Sequence, residues 1–287
     1  MLAGFKSFAG PYAPPAGQAG STAVDKNDPN IIAWATDWKD YFVGTDCDLG
    51  WQTPENSIGK AEGIVGGVHK IVTLGRAGEI TLIFDSGIGD RDGFDFAVFE
   101  NPVNDVFLEL GFVEVSSDGE NYFRFYSDSQ TSSPVAPFGS VEATDITGLA
   151  GKYMHGYGTP FDLAELRDIS PLLDVDNIRY VRILDIVGDG TFQDTSGKVI
   201  YDPYPTILSA GFDLDAVAVM NMRLGDINSS GGVDENDLSV FLQAWLSSIS
   251  DDSYDPNSDA AYPENEIVDL SDFAILSKQF NLGSSTL

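Results

Sequence analysis

The C-terminal quarter of the chain carries one acidic pattern twice, and this limits what it can fold into. Asp226-Ile227-Asn228-Ser229-Ser230-Gly231-Gly232-Val233-Asp234-Glu235-Asn236-Asp237-Leu238 is answered by Val268-Asp269-Leu270-Ser271-Asp272-Phe273. Val233 and Val268, Asp234 and Asp269, and Asp237 and Asp272 are each 35 residues apart. Behind each run apolar residues recur at helical spacing, Leu238, Phe241 and Trp245 in the first copy and Phe273, Leu276 and Phe280 in the second. The pattern is an acidic loop feeding an amphipathic helix, used twice.

Such a loop has the chemistry of a calcium site. Calcium takes about six to eight oxygen ligands from carboxylates, amides, carbonyls and water. Asp226, Asn228 and Ser230 occupy loop positions 1, 3 and 5, and Gly231 at position 6 permits a sharp turn. Gly232 offers a carbonyl, and Asp234 and Asp237 complete the set at positions 9 and 12. In the second copy the register is open. Counting back from Asp272 without a gap puts Ala261, Pro263 and Asn265 at positions 1, 3 and 5, and Glu266 where a glycine belongs. A two-residue insertion makes Asp259 the first ligand, followed by Asn265, the Ile267 carbonyl, Asp269 and Asp272. A start at Asp255, Asn257 and Asp259 needs six inserted residues.

The motif, with Asp at position 12, a helix behind it and a second copy, resembles a type I dockerin over about residues 223–287. The resemblance implies a small α-helical module that folds around Ca2+ and docks onto a cohesin-type partner. In that family loop positions 10 and 11 contribute to partner choice. Here they are Glu235-Asn236 and Leu270-Ser271, so the two halves differ.

Ahead of this module the composition is that of a folded body. The chain holds 45 acidic against 15 basic residues, a formal net charge of −30, which argues against nucleic acid or an anionic membrane and favours cations. Its hydrophobic share of 43%, with 18 Phe and 11 Tyr, is enough to bury a large core. Cys47 is the single cysteine, so no intramolecular disulfide forms, and it reads as a small buried hydrophobe. No segment approaches eighteen consecutive apolar residues, so no membrane span is expected. Met1–Lys6 lacks a basic start followed by an apolar run; the expectation is an extracellular or cell-surface protein whose leader has been removed.

Residues 1–20, rich in Pro, Gly and Ala, read as an arm lying over the main body. Residues 21–222 read as strands: His69–Leu74, Glu79–Asp85, Phe94–Glu100, Phe112–Ser117, Tyr122–Tyr126, Arg179–Ile186 and Phe212–Met220. Ile80, Leu82 and Phe84 share one face. Ser117-Asp118-Gly119-Glu120 reads as a hairpin turn with positive φ at Asp-Gly, and 161–168 as the one short helix. The fold class expected is mainly β, a jelly-roll β-sandwich followed by the dockerin-like pair. The run from Phe112 to Phe123, Ile178–Ile183 and Phe212–Val219 are similar to core segments of galactose-binding-like jelly rolls. GDRDGFDFAVFEN, LAGKYMHGYGTPFDLAEL and SAGFDLDAVAVMN resemble a group of bacterial secreted or surface proteins.

The jelly-roll resemblance implies one further ion, between a final-strand Asp, here Asp213 or Asp215, and Glu100. Asp90, Asp92, Asp95, Asp185, Asp189, Asp194 and Asp202 form further acidic clusters in loops. For a glycan ligand, Tyr153 and Tyr157 in a Gly-rich loop are the candidate stacking rings. Trp34 and Trp38 are four apart and would form one stripe if helical. His69 and His155 are the only histidines and lack a hydrolase motif around them, so both read as structural. The functional expectation is a non-catalytic, calcium-binding protein whose jelly roll contacts polysaccharide or another surface component. The alternative is a polysaccharide-degrading hydrolase carried into an assembly by its dockerin.

Overall fold

The computed structural model of the chain describes residues 10–65, 68–91, 93–221, 225–228, 233–261 and 265–283. Alternating apolar residues build two antiparallel sheets that face one another. The first runs Val24–Asp25, Tyr157–Phe161, Phe96–Glu100, Asp213–Val219 and Ala33–Trp34, with Val72–Thr73 also paired to the Asp213 strand. The second runs Phe123–Arg124, Gly111–Ser116, Ile178–Asp185, Glu79–Ile88 and Asp37–Phe42. Ile80, Leu82, Phe84, Val113, Val115, Val181 and Ile183 of the second sheet pack on Phe96, Val98, Phe161, Leu214, Val217 and Val219 of the first. This is a mainly β molecule of the sandwich type.

The strand Asp213–Val219 carries a defect with consequences for the site. Phe212 and Leu214 point into the inter-sheet core, and so do Val217 and Val219, so the alternation changes parity between them. Ala216 and Ala218 line a separate cluster with Phe99 on the outer face. The pairing with Phe96–Glu100 shifts between Leu214 and Ala216, which marks a β-bulge at Asp215.

Each expected strand has a counterpart, and the structure sharpens three local readings. Residues 161–168 hold the end of a strand and a 3-10 turn, Leu163–Leu166, whose N-cap Asp162 accepts from the Ala164 N–H. Trp34 and Trp38 lie on strands of opposite sheets, so they share no helical stripe. At the hairpin only Gly119 has positive φ. The Asp118 carboxylate instead gathers the N–H groups of Glu120 and Asn121, which makes an Asx-type loop before Phe123.

The described part of the arm does lie on the body: the Tyr12 N–H donates to the Thr144 carbonyl and its hydroxyl to Asp128. At the other end, helices α1 (Glu235–Ala244) and α2 (Leu270–Gly283) pack around their own cluster of Ile227, Val233, Phe241, Ala244, Val268 and Leu276. Among the described residues no helix is long and apolar enough to cross a membrane.

Candidate metal centres

Both helices begin in the same way, and this aligns the two acidic loops. The Asp234 carboxylate accepts from the Asn236 N–H at 2.7 Å, and Asp269 accepts from Ser271 at 2.7 Å. Asp237 Oδ2 accepts from the Asp234 N–H at 2.8 Å, and Asp272 Oδ2 from Asp269 at 2.7 Å. Asp237 Oδ1 then reaches back to the Asn228 N–H at 3.0 Å, while Asp272 Oδ1 reaches the N–H groups of Ala260 and Ala261 at 2.8 and 2.7 Å. Asn228 lies six residues before Asp234, whereas Ala261 lies eight before Asp269. The Ala261 bond has the spacing that a two-residue insertion gives, with Asp259 as the counterpart of Asp226.

Other contacts agree with that register. Glu266, at loop position 6, adopts the left-handed conformation at φ 63°, which glycine takes most readily. Its N–H donates to Asp259 Oδ2 at 2.8 Å, and the Ile267 N–H donates to the Asn265 side chain at 2.9 Å. Asp226, Asp237, Asp259 and Asp272 are all buried, which draws four carboxylates out of water in one small module. Burial raises the pKa of Asp272 above the ordinary carboxylate range. Ser230 and Gly232, expected ligands of the first loop, lie outside the described residues.

In the sandwich a second acidic group forms beside the strands Phe96–Glu100 and Asp213–Val219. Glu100 closes the strand Phe96–Glu100, and its neighbour Leu214 follows Asp213. Glu109 comes from the opposite side, two residues before the strand Gly111–Ser116. One carboxylate oxygen from each of the three lies within 4.8 Å of the others. All three are buried, and burial together with their mutual repulsion pushes Glu100 and Glu109 well above the usual range. Asp213 is pushed up to about 7 by burial. Glu109 accepts from the Thr206 hydroxyl at 2.8 Å and Asp213 from the Thr73 hydroxyl, whereas Glu100 Oε2 has no hydrogen-bond partner among the described residues. Among the described residues no ion pair reaches any of the three.

These carboxylates form the floor of a cleft of about 210 Å³ walled by Trp51, His69, Phe107 and Phe138. The walls are paired rings: Trp51 meets His69 edge-on at 5.0 Å between centroids, and Phe107 stacks on Phe138 at 5.7 Å.

Three expectations for the sandwich change. Asp215 does not join Glu100 and Asp213, because the bulge turns it toward the Glu62 and Gly63 N–H groups, which it binds at 3.0 and 3.1 Å. Tyr153 is 1% exposed, hydrogen-bonds Thr22 at 2.8 Å, and offers no ring to a ligand. Tyr157 is half-buried on a strand paired with Asp25. The rings that do reach a cleft, Trp51, Phe107 and Phe138, were not singled out as a group by the sequence, since they lie on separate segments and only the fold gathers them.

Two acidic residues of the expected loop clusters are engaged in local bonds. Asp194 accepts from Ser196, Lys198 and Ser129 N–H groups, and Asp189 from Thr191. Asp90, Asp95 and Asp162 also converge within 4.8 Å. That group, however, has its own cation in Arg167 beside Asp90, and Asp95 takes the N–H groups of Arg91 and Leu163. Asp92 lies outside the described residues. Models of known protein families and the curated proteins give no match to this chain.

Proposed function

We propose that the chain is an extracellular, calcium-dependent attachment protein: a dockerin-like C-terminal pair carries a jelly-roll sandwich that contacts glycan or another surface component. The observation that carries this reading is the matched bonding of Asp237 and Asp272, each tying the start of its loop to the ninth position. In each copy this closes the loop around buried carboxylates. Without a cation those carboxylates repel one another in a poorly hydrated site, so the module needs Ca2+ to hold its helices. Weak ligand sets of this kind suit the calcium levels outside cells.

A docking face accompanies the loops. Leu238, Phe273, Leu276 and Phe280 line an apolar groove between the helices, and Leu270, the first residue of α2, is 72% exposed. Together they supply the kind of apolar area that a cohesin-type partner would cover. The test is a pull-down against a cohesin panel with and without calcium, alongside far-UV circular dichroism of the chain during calcium titration. Helicity indifferent to both calcium and chelator overturns the reading.

The hydrolase alternative draws on the carboxylates in the aromatic cleft. Glycoside hydrolysis needs one protonated acid and one ionised carboxylate, about 5–9 Å apart across the bond. Glu100, Glu109 and Asp213 are instead three desolvated groups whose carboxylate oxygens lie within 4.8 Å of one another, too close to flank a glycosidic bond from opposite sides. Release of reducing ends, abolished by a single carboxylate substitution, is the result that would reinstate it.

A further inference from the structure

We infer that Glu100, Glu109 and Asp213 hold an exchangeable divalent cation whose open coordination faces the aromatic cleft, so that the hydroxyl oxygens of a neutral saccharide complete its shell. The inference deepens the reading of the sandwich as a glycan-contacting unit, and it is independent of the C-terminal loops. It also differs from an ion bound between Glu100 and the final strand alone, because Glu109, from the segment that leads into the strand Gly111–Ser116, lines the same cleft.

Four observations support it. The three oxygens lie within 4.8 Å of one another, which is about twice a calcium–oxygen bond and so allows one ion to touch all three. Glu100 is 2% exposed, lines the cleft, and leaves Oε2 without a hydrogen-bond partner among the described residues, a costly arrangement unless a ligand occupies the space before it. Among the described residues no arginine or lysine makes an ion pair with the group, in contrast to the Asp90 group with Arg167. Finally, the floor opens into a cleft of about 210 Å³, the scale of a single sugar ring, between Trp51–His69 and Phe107–Phe138.

The choice of cation and ligand follows from the same chemistry. Carboxylate-only donors suit a hard ion, and calcium tolerates an incomplete protein shell better than magnesium does. Three carboxylates cannot fill six to eight positions when Glu109 and Asp213 oxygens already accept hydroxyl bonds from Thr206 and Thr73. The remaining positions face the cleft. Adjacent hydroxyls of a sugar satisfy the ion there while the CH face of the ring stacks on an aromatic wall. A net charge of −30 disfavours an acidic sugar, so the ligand class is neutral.

The test uses the full chain and calcium chloride alone as the first probe. Bound calcium is counted by equilibrium dialysis for the wild type, Glu109→Gln, Glu100→Gln and a tail variant, Asp237→Asn with Asp272→Asn. Each cleft variant should bind one ion fewer than wild type, and the tail variant should lose others. Cleft variants that bind as many ions as wild type overturn the inference, whatever the tail does. If instead the tail variant loses no ion while the cleft variants still lose one, the attachment reading fails and this one stands. In chelator the glutamine variants should melt no lower than wild type, because they relieve buried repulsion; a marked loss there assigns the carboxylates an ion-free structural bond and overturns the site. Europium is the second probe. Comparing its luminescence lifetime in H2O and D2O, the part of the signal lost in Glu109→Gln should report an ion that keeps water. Addition of D-galactose or D-mannose should lengthen that lifetime. A water-free ion, or a lifetime neither sugar alters, overturns the ligand half.

Discussion

Asp185 ends its strand fully enclosed, with Oδ1 accepting from the Phe212 N–H at 2.7 Å and Oδ2 from the Ala77 N–H at 2.8 Å. Gly211 permits this approach, since with φ at 80° a Cβ there would sit 2.5 Å from Asp185 Oδ1. Burial lifts the Asp185 pKa to about 7 despite the two donors. In the unfolded chain the same group loses its proton near pH 4. Between about 4 and 7 the native state therefore holds a proton that the unfolded state has released, and stability falls as pH rises through this window. In chelator, the urea midpoint should decline from pH 5 to 7.5. Asp185→Asn should be less stable at pH 5, because one N–H loses its acceptor, yet show a shallower decline. An equal slope in both proteins would remove Asp185 from the account.

Among the elements, the two loop–helix units make the sharpest contrast between neighbouring carboxylates. Asp234 caps α1 from an exposed position, so Asp234→Ala should cost about 1 kcal/mol, the usual worth of such a cap. Asp237 is fully buried and ties two separate backbone N–H groups into the loop. Asp237→Ala should abolish calcium-induced helicity in the first unit, which circular dichroism at saturating calcium reads directly. Phe273→Asp, 40% exposed beside the groove, should leave calcium binding intact and weaken capture by a cohesin-type partner at least tenfold. The helices were legible in advance because their apolar spacing and caps are local. The register of the second loop was not, because an insertion shows only when Asp272 selects its backbone partners.

At the scale of the whole molecule, Arg91 joins the sandwich to the second acidic loop. Its guanidinium makes long hydrogen bonds to the carbonyls of Pro256 and Asn257 at 3.5 and 3.4 Å, and to that of Asp259 at 3.4 Å. Those carbonyls belong to the segment that carries Asp259, so on the proposed reading the cation that orders the loop also shapes it for Arg91. Arg91→Ala should separate the calorimetric melt of wild type in calcium into two transitions, with the calcium-sensitive one at lower temperature. A single unchanged transition would show that the two bodies are coupled elsewhere.

By itself the chain's sequence determined the sandwich strands, the two helices and the acidic loops, because alternation, helical spacing and capping act between residues a few positions apart. Only the tertiary structure decided which carboxylates meet. Glu109 joins Glu100 and Asp213 from the segment that leads into the strand Gly111–Ser116, and a bulge turns Asp215 away from them. Likewise Tyr153, in a loop that reads as open, is sealed by Thr22, while Trp51 and Phe138 are brought to one cleft. A strand's parity and a loop's cover are set by the chain that packs against it, and no local pattern of residues carries that information.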